Sequence, residues 1–101
     1  MHPINQAIRD KVLARKHELM ARSPSDLRRL ASFTHESFPA AGKAQELYIL
    51  HDKTLAGEDI VVVQCKRRIL LGYGHLFVEG FVLDSADQVR NAEEELMWEY
   101  T

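Results

Sequence analysis

Residues 60–83 constrain the fold of this chain more than any other segment. They are rich in valine, leucine, isoleucine and phenylalanine, and their charged side chains are a Lys-Arg-Arg run at 66–68 and a single Glu79. Side chains of this kind favour strands, and the segment lacks the apolar period of an amphipathic helix. The chain must therefore be built on a β-sheet.

Two strand registers fit this segment. In the first, the chain turns at residues 72–74, whose Gly-Tyr-Gly composition is typical of turns. In the second, it turns at residues 66–68, so that a strand at 60–65 is followed by a long, bent strand at 69–83. The second register places the glycines on one face and the bulky side chains on the other, and small residues let a helix approach closely. We therefore favour the second register.

The N-terminal part of the sequence predicts two helices. Apolar residues recur at helical spacing from Ile4 to Leu19, after a proline that a first helical turn tolerates, and predict a helix over residues 3–21. Ser23 can cap a second helix, because the proline and aspartate that follow it are typical of a first turn. We expect this second helix to span residues 24–36.

The rest of the chain completes an α+β pattern. Residues 46–52 alternate between two faces and predict a strand, and the Ser-Ala-Asp-Gln sequence from Ser85 has the form of a capping box that begins a last helix. The predicted fold is a single domain over residues 1–101 with the order α-α-β-β-β-α. Short turns join neighbouring strands, so we expect a three-stranded antiparallel sheet with the helices packed on one face.

Helices on one face would leave the other face of such a sheet uncovered. The uncovered face would carry Tyr73, Phe77, Phe81 and Leu83. Burying four such side chains contributes about 6–12 kcal/mol, which is comparable with the whole stability of a small domain. We therefore expect a second copy of the chain, pairing by sheet face or sheet edge, to provide the cover, which makes the protein a homodimer.

Composition excludes several classes of protein. The chain has 101 residues, a net charge of −2 and one cysteine, so it cannot form an internal disulfide. No signal peptide is visible at the N-terminus, and the longest uncharged run is far shorter than the roughly 20 residues that cross a membrane. We expect a cytoplasmic protein that does not associate with membranes.

No catalytic or metal-binding signature is visible. The five histidines include no pair at a spacing typical of metal ligands, so we assign no catalytic residue, metal or other cofactor. The cations after Cys65 would favour a reactive thiolate. A lone cysteine after three valines is more typical of a small buried hydrophobe, and we favour that interpretation and a non-enzymatic protein.

Two groups of residues are candidate binding sites. The first group shares one strand face and could line a ligand pocket or an interface: Tyr73, His75, Phe77, Glu79 and Phe81. The second consists of Trp98 and Tyr100, because aromatic side chains are favoured interface anchors. These two lie beside three consecutive glutamates, in a half of the chain that carries an excess of acidic residues.

The leading hypothesis is a small protein-interaction or regulatory module that dimerises through its sheet. It would bind another protein through an exposed sheet edge or through its acidic last helix. The alternative is a small-ligand-binding domain or minor enzyme with a pocket on the aromatic sheet face. A third hypothesis is nucleic-acid binding through the basic N-terminal helices, which the acidic overall charge makes unlikely.

Overall fold

The structure is a computed structural model that describes residues 3–68 and 74–101, with Arg68 described by its backbone alone. It contains helices α1 (Pro3–Met20) and α2 (Pro24–Arg28), then strands β1 (Phe33–Ala40), β2 (Lys43–Lys53), β3 (Asp59–Arg68), β4 (Gly74–Leu83) and β5 (Val89–Asn91). Helix α3 (Glu94–Met97) and one 3-10 turn (Trp98–Tyr100) follow and together form what we call the C-terminal segment. Within the described ranges, no helix is both long and apolar enough to span a bilayer.

All five strands belong to one antiparallel sheet. Their spatial order, β1-β2-β3-β4-β5, is the order of the chain, so each strand pairs with the strand that follows it. The α+β class and the antiparallel sheet are thus confirmed. The predicted number of three strands was wrong, because β1 and β5 were not recognised.

Helix α1 covers one face of this sheet, and its apolar period confirms the helix predicted there. The core between them contains Ile4, Ile8, Val12 and Leu19 from the helix and Leu47, Ile49, Val61, Val63, Cys65, Phe81 and Leu83 from the sheet. Phe81 and Leu83 were expected on an uncovered face, yet both are completely buried here. Helix α1 therefore supplies the burial of Phe81 and Leu83, two of the four side chains that motivated a homodimer, and the homodimer itself stays a prediction.

The C-terminal segment covers the opposite face. Its Leu96, Met97 and Tyr100 pack against a small cluster formed by Ile60, Val62 and Val82. Gly80 lies under this contact, where an added Cβ would be only 2.6 Å from Met97 Sδ. The prediction that helices pack on one face was wrong, because the chain returns across the sheet after β5 and encloses it from both sides.

The second predicted helix is much shorter than expected. It ends at Arg28, and the last four residues predicted for it, 33–36, belong to β1. The cause is the turn that follows: Ala40 pairs with Lys43, and the two residues between them have φ values of 50° and 77°. Positive φ at both positions is the geometry of a type I′ hairpin, which fixes this segment as a strand against β2.

The strand register that we favoured for residues 60–83 was also wrong. Lys66 pairs with Leu76, and Arg67 pairs with His75, so the basic run lies within β3 rather than at a turn. The strand predicted over 69–83 begins at Gly74 in the described structure, and residues 69–73 of that prediction lie outside it. The predicted alternation is confirmed further along, since Phe77 and Phe81 face α1 whereas Val78 and Val82 face the C-terminal segment.

Ser85 does not begin a helix. The Asp84 carboxylate accepts hydrogen bonds from the backbone N–H groups of Ala86 (2.8 Å) and Gln88 (3.0 Å), and this closes the turn between β4 and β5. A short acidic side chain that binds the backbone just after it stabilises a turn. The signal that resembled a capping box therefore belongs to a hairpin, and the last helix begins only at Glu94.

Candidate functional site

A groove of about 600 Å³ lies between the β2–β3 turn and the C-terminal segment, and we call it the C-terminal groove. Its apolar lining comes from Leu55, Ala56, Ile60, Leu96 and Tyr100, and its charged lining comes from Lys53, Glu58, Arg90, Glu93, Glu95 and Glu99. The volume is typical of cavities that hold a ligand or part of a peptide. Carboxylates outnumber cations around it by four to two.

Arg90 lines the groove, and three hydrogen bonds hold its side chain in place. Its two terminal nitrogens donate to both carboxylate oxygens of Glu58 (3.1 and 3.0 Å), and its Nε donates to Glu93 (3.1 Å). The hydrogen bonds to Glu58 and then Glu93 raise the pKa of Arg90. Bidentate pairing of this kind fixes the geometry of all three side chains, so the positive charge of Arg90 is already matched within the chain.

Glu95 and Glu99 differ from these residues. Neither carboxylate forms an ion pair or a side-chain hydrogen bond with any described part of the chain. Both line the groove beside its apolar residues. The groove therefore combines an apolar surface with negative charge that the surrounding described residues do not neutralise.

The structure separates the two predicted partner-binding aromatics. Tyr100 lines the groove, and its hydroxyl donates to Asp52 (3.4 Å) while its backbone oxygen accepts from Gln64. Burial, followed by the charge of Asp52, raises the pKa of Tyr100. Trp98 is 66% exposed and does not line the groove. Tyr100 is thus a fixed element of the groove, whereas Trp98 adds exposed apolar surface nearby in the chain.

Three of the five predicted pocket residues lie on the half of β4 that β5 does not reach. They are His75, Phe77 and Glu79. Strand β5 pairs only with the last three residues of β4, so within the described structure residues 74–79 have a strand neighbour on one side alone. The rings of His75 and Phe77 lie 6.4 Å apart, and Lys16 Nζ approaches a carboxylate oxygen of Glu79 at 3.2 Å.

The other two predicted pocket residues are elsewhere. Tyr73 lies outside the described residues, and Phe81 is completely buried under α1. The predicted face is thus divided: Phe81 belongs to the core under α1, whereas Phe77 and Glu79 line a groove of about 190 Å³ at the open edge of β4. Grooves lie both at the C-terminal segment and at the open edge of β4.

A polar cluster around the buried side chain of Asp59 was missed by sequence reasoning. Asp59 accepts from His51 Nε2 (2.8 Å) and pairs with Lys53 (3.1 Å), with Arg28 at 3.7 Å. Burial raises the pKa of Asp59, but the hydrogen bonds from His51 and Lys53 outweigh it, and the pKa is lowered overall. We call Arg28, His51, Lys53 and Asp59 the Asp59 cluster.

The Asp59 cluster resembles a catalytic His–Asp pair but is arranged for structure. His51 Nδ1 lies 2.8 Å from the backbone oxygen of Leu30, so both ring nitrogens face acceptors. The cluster therefore engages both ring nitrogens of His51 within the chain, and His51 lines neither the C-terminal groove nor the groove at the edge of β4. The only signal of the Asp59 cluster in the sequence is an acidic residue at the start of the apolar strand β3. In the described ranges, no group of three or more His, Cys, Asp or Glu side chains is placed to hold a metal ion.

Cys65 is buried, as the structural interpretation predicted. Burial, with a smaller contribution from the charge of Glu46, raises the pKa of the Cys65 thiol to about 11. The neighbouring cations therefore do not produce a thiolate at neutral pH.

The folded protein is expected to resist alkylation at Cys65. Labelling by iodoacetamide at pH 8 should be at least about a hundredfold slower than in urea, because it requires both local opening and thiol ionisation. Mass spectrometry of quenched samples gives both rates, and the denatured chain is its own control. Native labelling as fast as denatured labelling would show an accessible, reactive thiol.

Several cations of the predicted nucleic-acid surface are engaged within the chain. Arg15 pairs with Glu18 and Glu36, Lys16 pairs with Glu79, and Arg28 pairs with Asp87. A phosphate backbone would have to compete with these carboxylates. The basic excess of the N-terminal half is thus partly neutralised by the fold.

Comparisons with protein-family models, with curated proteins and with solved structures found no match to this chain.

Proposed function

We propose that the protein is a non-enzymatic interaction module that binds a short basic segment of a partner protein in the C-terminal groove. The observation that carries the proposal is the pairing of an apolar surface with Glu95 and Glu99, whose charges no described residue neutralises. A ligand that fits both features carries an arginine or lysine close to an apolar side chain.

The energetics favour such a segment over other ligands. Burying one apolar side chain against Leu96 and Tyr100 would contribute about 1.5–3 kcal/mol. The acidic rim would attract the cation and orient the segment, which raises the rate of association and the specificity more than the affinity. A phosphate or an acidic peptide would meet charge of the same sign, and the pairs around Arg90 would need to break before that cation could bind it.

A peptide-display selection with the full chain as bait tests the proposal. Recovered peptides should share an arginine or lysine within a few residues of a leucine or an aromatic residue. Binding of a fluorescent copy of the most enriched peptide should weaken about tenfold when both Glu95 and Glu99 are replaced by lysine, because surface charge reversal of this kind costs on the order of 1 kcal/mol or more. Affinity should also fall as salt is added.

Glu94→Lys is the matched control. Glu94 is exposed on the same helix but does not line the groove, so this variant should bind the peptide within about a factor of two of the original chain. Selection of acidic or uncharged peptides, or equal binding by the double variant, would overturn the proposal. Thermal melting of all three proteins would verify that the charge changes leave the fold intact.

A further inference from the structure

The residues of the C-terminal segment that line the C-terminal groove form two parallel rows. Glu95 and Glu99 are four positions apart, and so are Leu96 and Tyr100, and all four line the groove. Residues four apart on a helical segment are neighbours, with Cβ atoms about 5–6 Å from each other. An acidic row therefore runs beside an apolar row along the same wall of the groove.

The two rows are fixed to different degrees. Leu96 and Tyr100 pack against the sheet, and the Tyr100 hydroxyl donates to Asp52, so the apolar row is held in place. Glu95 and Glu99 are exposed, and neither pairs with a cation of the described chain. Two carboxylates at this spacing repel each other. One cation shared between them would remove that repulsion.

The cations that the described residues contribute to the groove already have partners within the chain. Lys53 Nζ lies 3.1 Å from a carboxylate oxygen of Asp59. Arg90 donates to Glu58 through its terminal nitrogens and to Glu93 through Nε, so one guanidinium bridges two carboxylates in this same groove. The acidic row offers a second pair of carboxylates for which the described chain provides no guanidinium.

We propose that the C-terminal groove recognises an arginine of the partner rather than a lysine. The guanidinium would bridge Glu95 and Glu99, and the methylene stem would lie along Leu96 and Tyr100, because long cationic side chains pack their stems on apolar surface while the charged head stays outside it. This specificity rests on the proposed function, and it names the residue of the basic segment that the groove selects.

The chemistry of the two cations explains the selection. A guanidinium is planar and directs its N–H donors along several edges, so that separate edges bind separate carboxylates. It is also more weakly hydrated than an ammonium and therefore loses less on entering a partly apolar groove. A lysine ammonium is a compact, strongly hydrated charge whose donors surround a single nitrogen. It is less suited to bridging two carboxylates beside an apolar row.

NMR titration of the full, isotope-labelled chain with three capped tetrapeptides tests the arginine bridge. The first peptide is Ala-Leu-Arg-Ala, and the others carry lysine or citrulline in place of arginine. Citrulline keeps the planar shape of the side chain but has no charge. The shifts of the backbone amides of residues 94–101 give the dissociation constants. The arginine peptide should bind at least about fivefold more tightly than the lysine peptide and about tenfold more tightly than the citrulline peptide.

Two single variants distinguish a bridge from general attraction to negative charge. E95Q and E99Q should each bring the arginine and lysine peptides to within about twofold of each other in affinity, because a bridge needs both carboxylates. E94Q is the matched control, since Glu94 is exposed on the same helix and does not line the groove. This variant should keep the preference for arginine, and circular dichroism verifies that all three variants are folded.

Equal binding of the arginine and lysine peptides at the groove would overturn the arginine bridge and leave the proposed function intact. Binding by neither peptide, shifts confined to another part of the chain, or a preference for arginine that E95Q and E99Q both retain would overturn the bridge as well. The display selection tests the proposed function separately, because peptides that carry lysine satisfy that function too.

Discussion

Replacing Asp59 by alanine is expected to lower the free energy of unfolding by about 1–3 kcal/mol, because it leaves the largely buried side chain of His51 without its hydrogen-bond acceptor. Asp59 is only 4% exposed, and His51, which donates to it, is also largely buried. Urea unfolding followed by circular dichroism would measure the loss. Asp10→Ala is the control, since Asp10 is exposed on α1 and its side chain bonds to Gln6 alone among the described residues, and it should change stability by less than about 0.5 kcal/mol.

The difference in stability between the original chain and Asp59→Ala should depend on pH. The pKa of Asp59 is lowered from its ordinary value of 3.8, so its contribution to stability is present above that value. The contribution is lost as pH falls through the lower pKa of the folded state. The stability gap between the original chain and Asp59→Ala should therefore narrow below pH 3.8. A gap that stays constant from neutral to strongly acidic pH would show that Asp59 acts through packing alone.

Replacing Phe81 by alanine is expected to lower the free energy of unfolding by about 3–5 kcal/mol, because it opens a cavity in a packed core. Phe81 has no exposed surface and packs between α1 and the centre of the sheet. For a domain of this size, the melting temperature should fall by at least about 12 °C.

Phe33→Ala is the matched control for this effect. Phe33 is 52% exposed and stacks on Tyr48, with ring centroids 5.5 Å apart. Its loss should cost about 1 kcal/mol, since an exposed aromatic pair contributes little beyond its contact. Similar losses from both substitutions would mean that α1 does not cover Phe81, and the aromatic face would then again require a cover from outside the chain.

Local sequence patterns predicted the elements whose determinants lie within one segment. The apolar period from Ile4 to Leu19 predicted α1 almost to the residue, and alternation predicted the centre of β2. The segment at 33–36 failed because its helical pattern is weak and its strand conformation depends on pairing with β2 through the Ala41–Gly42 turn.

The face of the sheet that α1 covers could not be predicted from the sequence of the helix or from that of any one strand. An amphipathic helix and a two-faced strand each specify their own apolar side, but how the chain crosses the sheet decides which sides meet. The C-terminal segment shows the same effect, because its contact with Ile60 and Val82 depends on the hairpin that Asp84 closes. The sequence predicted that helices cover one face of the sheet, whereas the fold covers both faces.

In the candidate sites, too, local sequence patterns predicted some residues and missed others. Tyr100 was predicted from its aromatic character and its acidic neighbours, and it does line the C-terminal groove. The pairing of Arg90 with Glu58 joins residues 32 positions apart, and that of His51 with Asp59 crosses a hairpin. Neither pair has a characteristic spacing, because pairing across a sheet depends on the strand register rather than on separation in sequence.

The meander order of the sheet has a consequence for how the protein is made. Each strand can pair with its predecessor as soon as it is synthesised, because hairpins form within about 1–10 μs. Helix α1 cannot do the same, since Lys16 meets Glu79 across 63 residues. At typical rates of synthesis this separation corresponds to roughly 3–13 s, during which the apolar side of α1 lacks its final partner. The helix that protects the core of this sheet is therefore made before every strand that it covers and is among the last elements to reach its place.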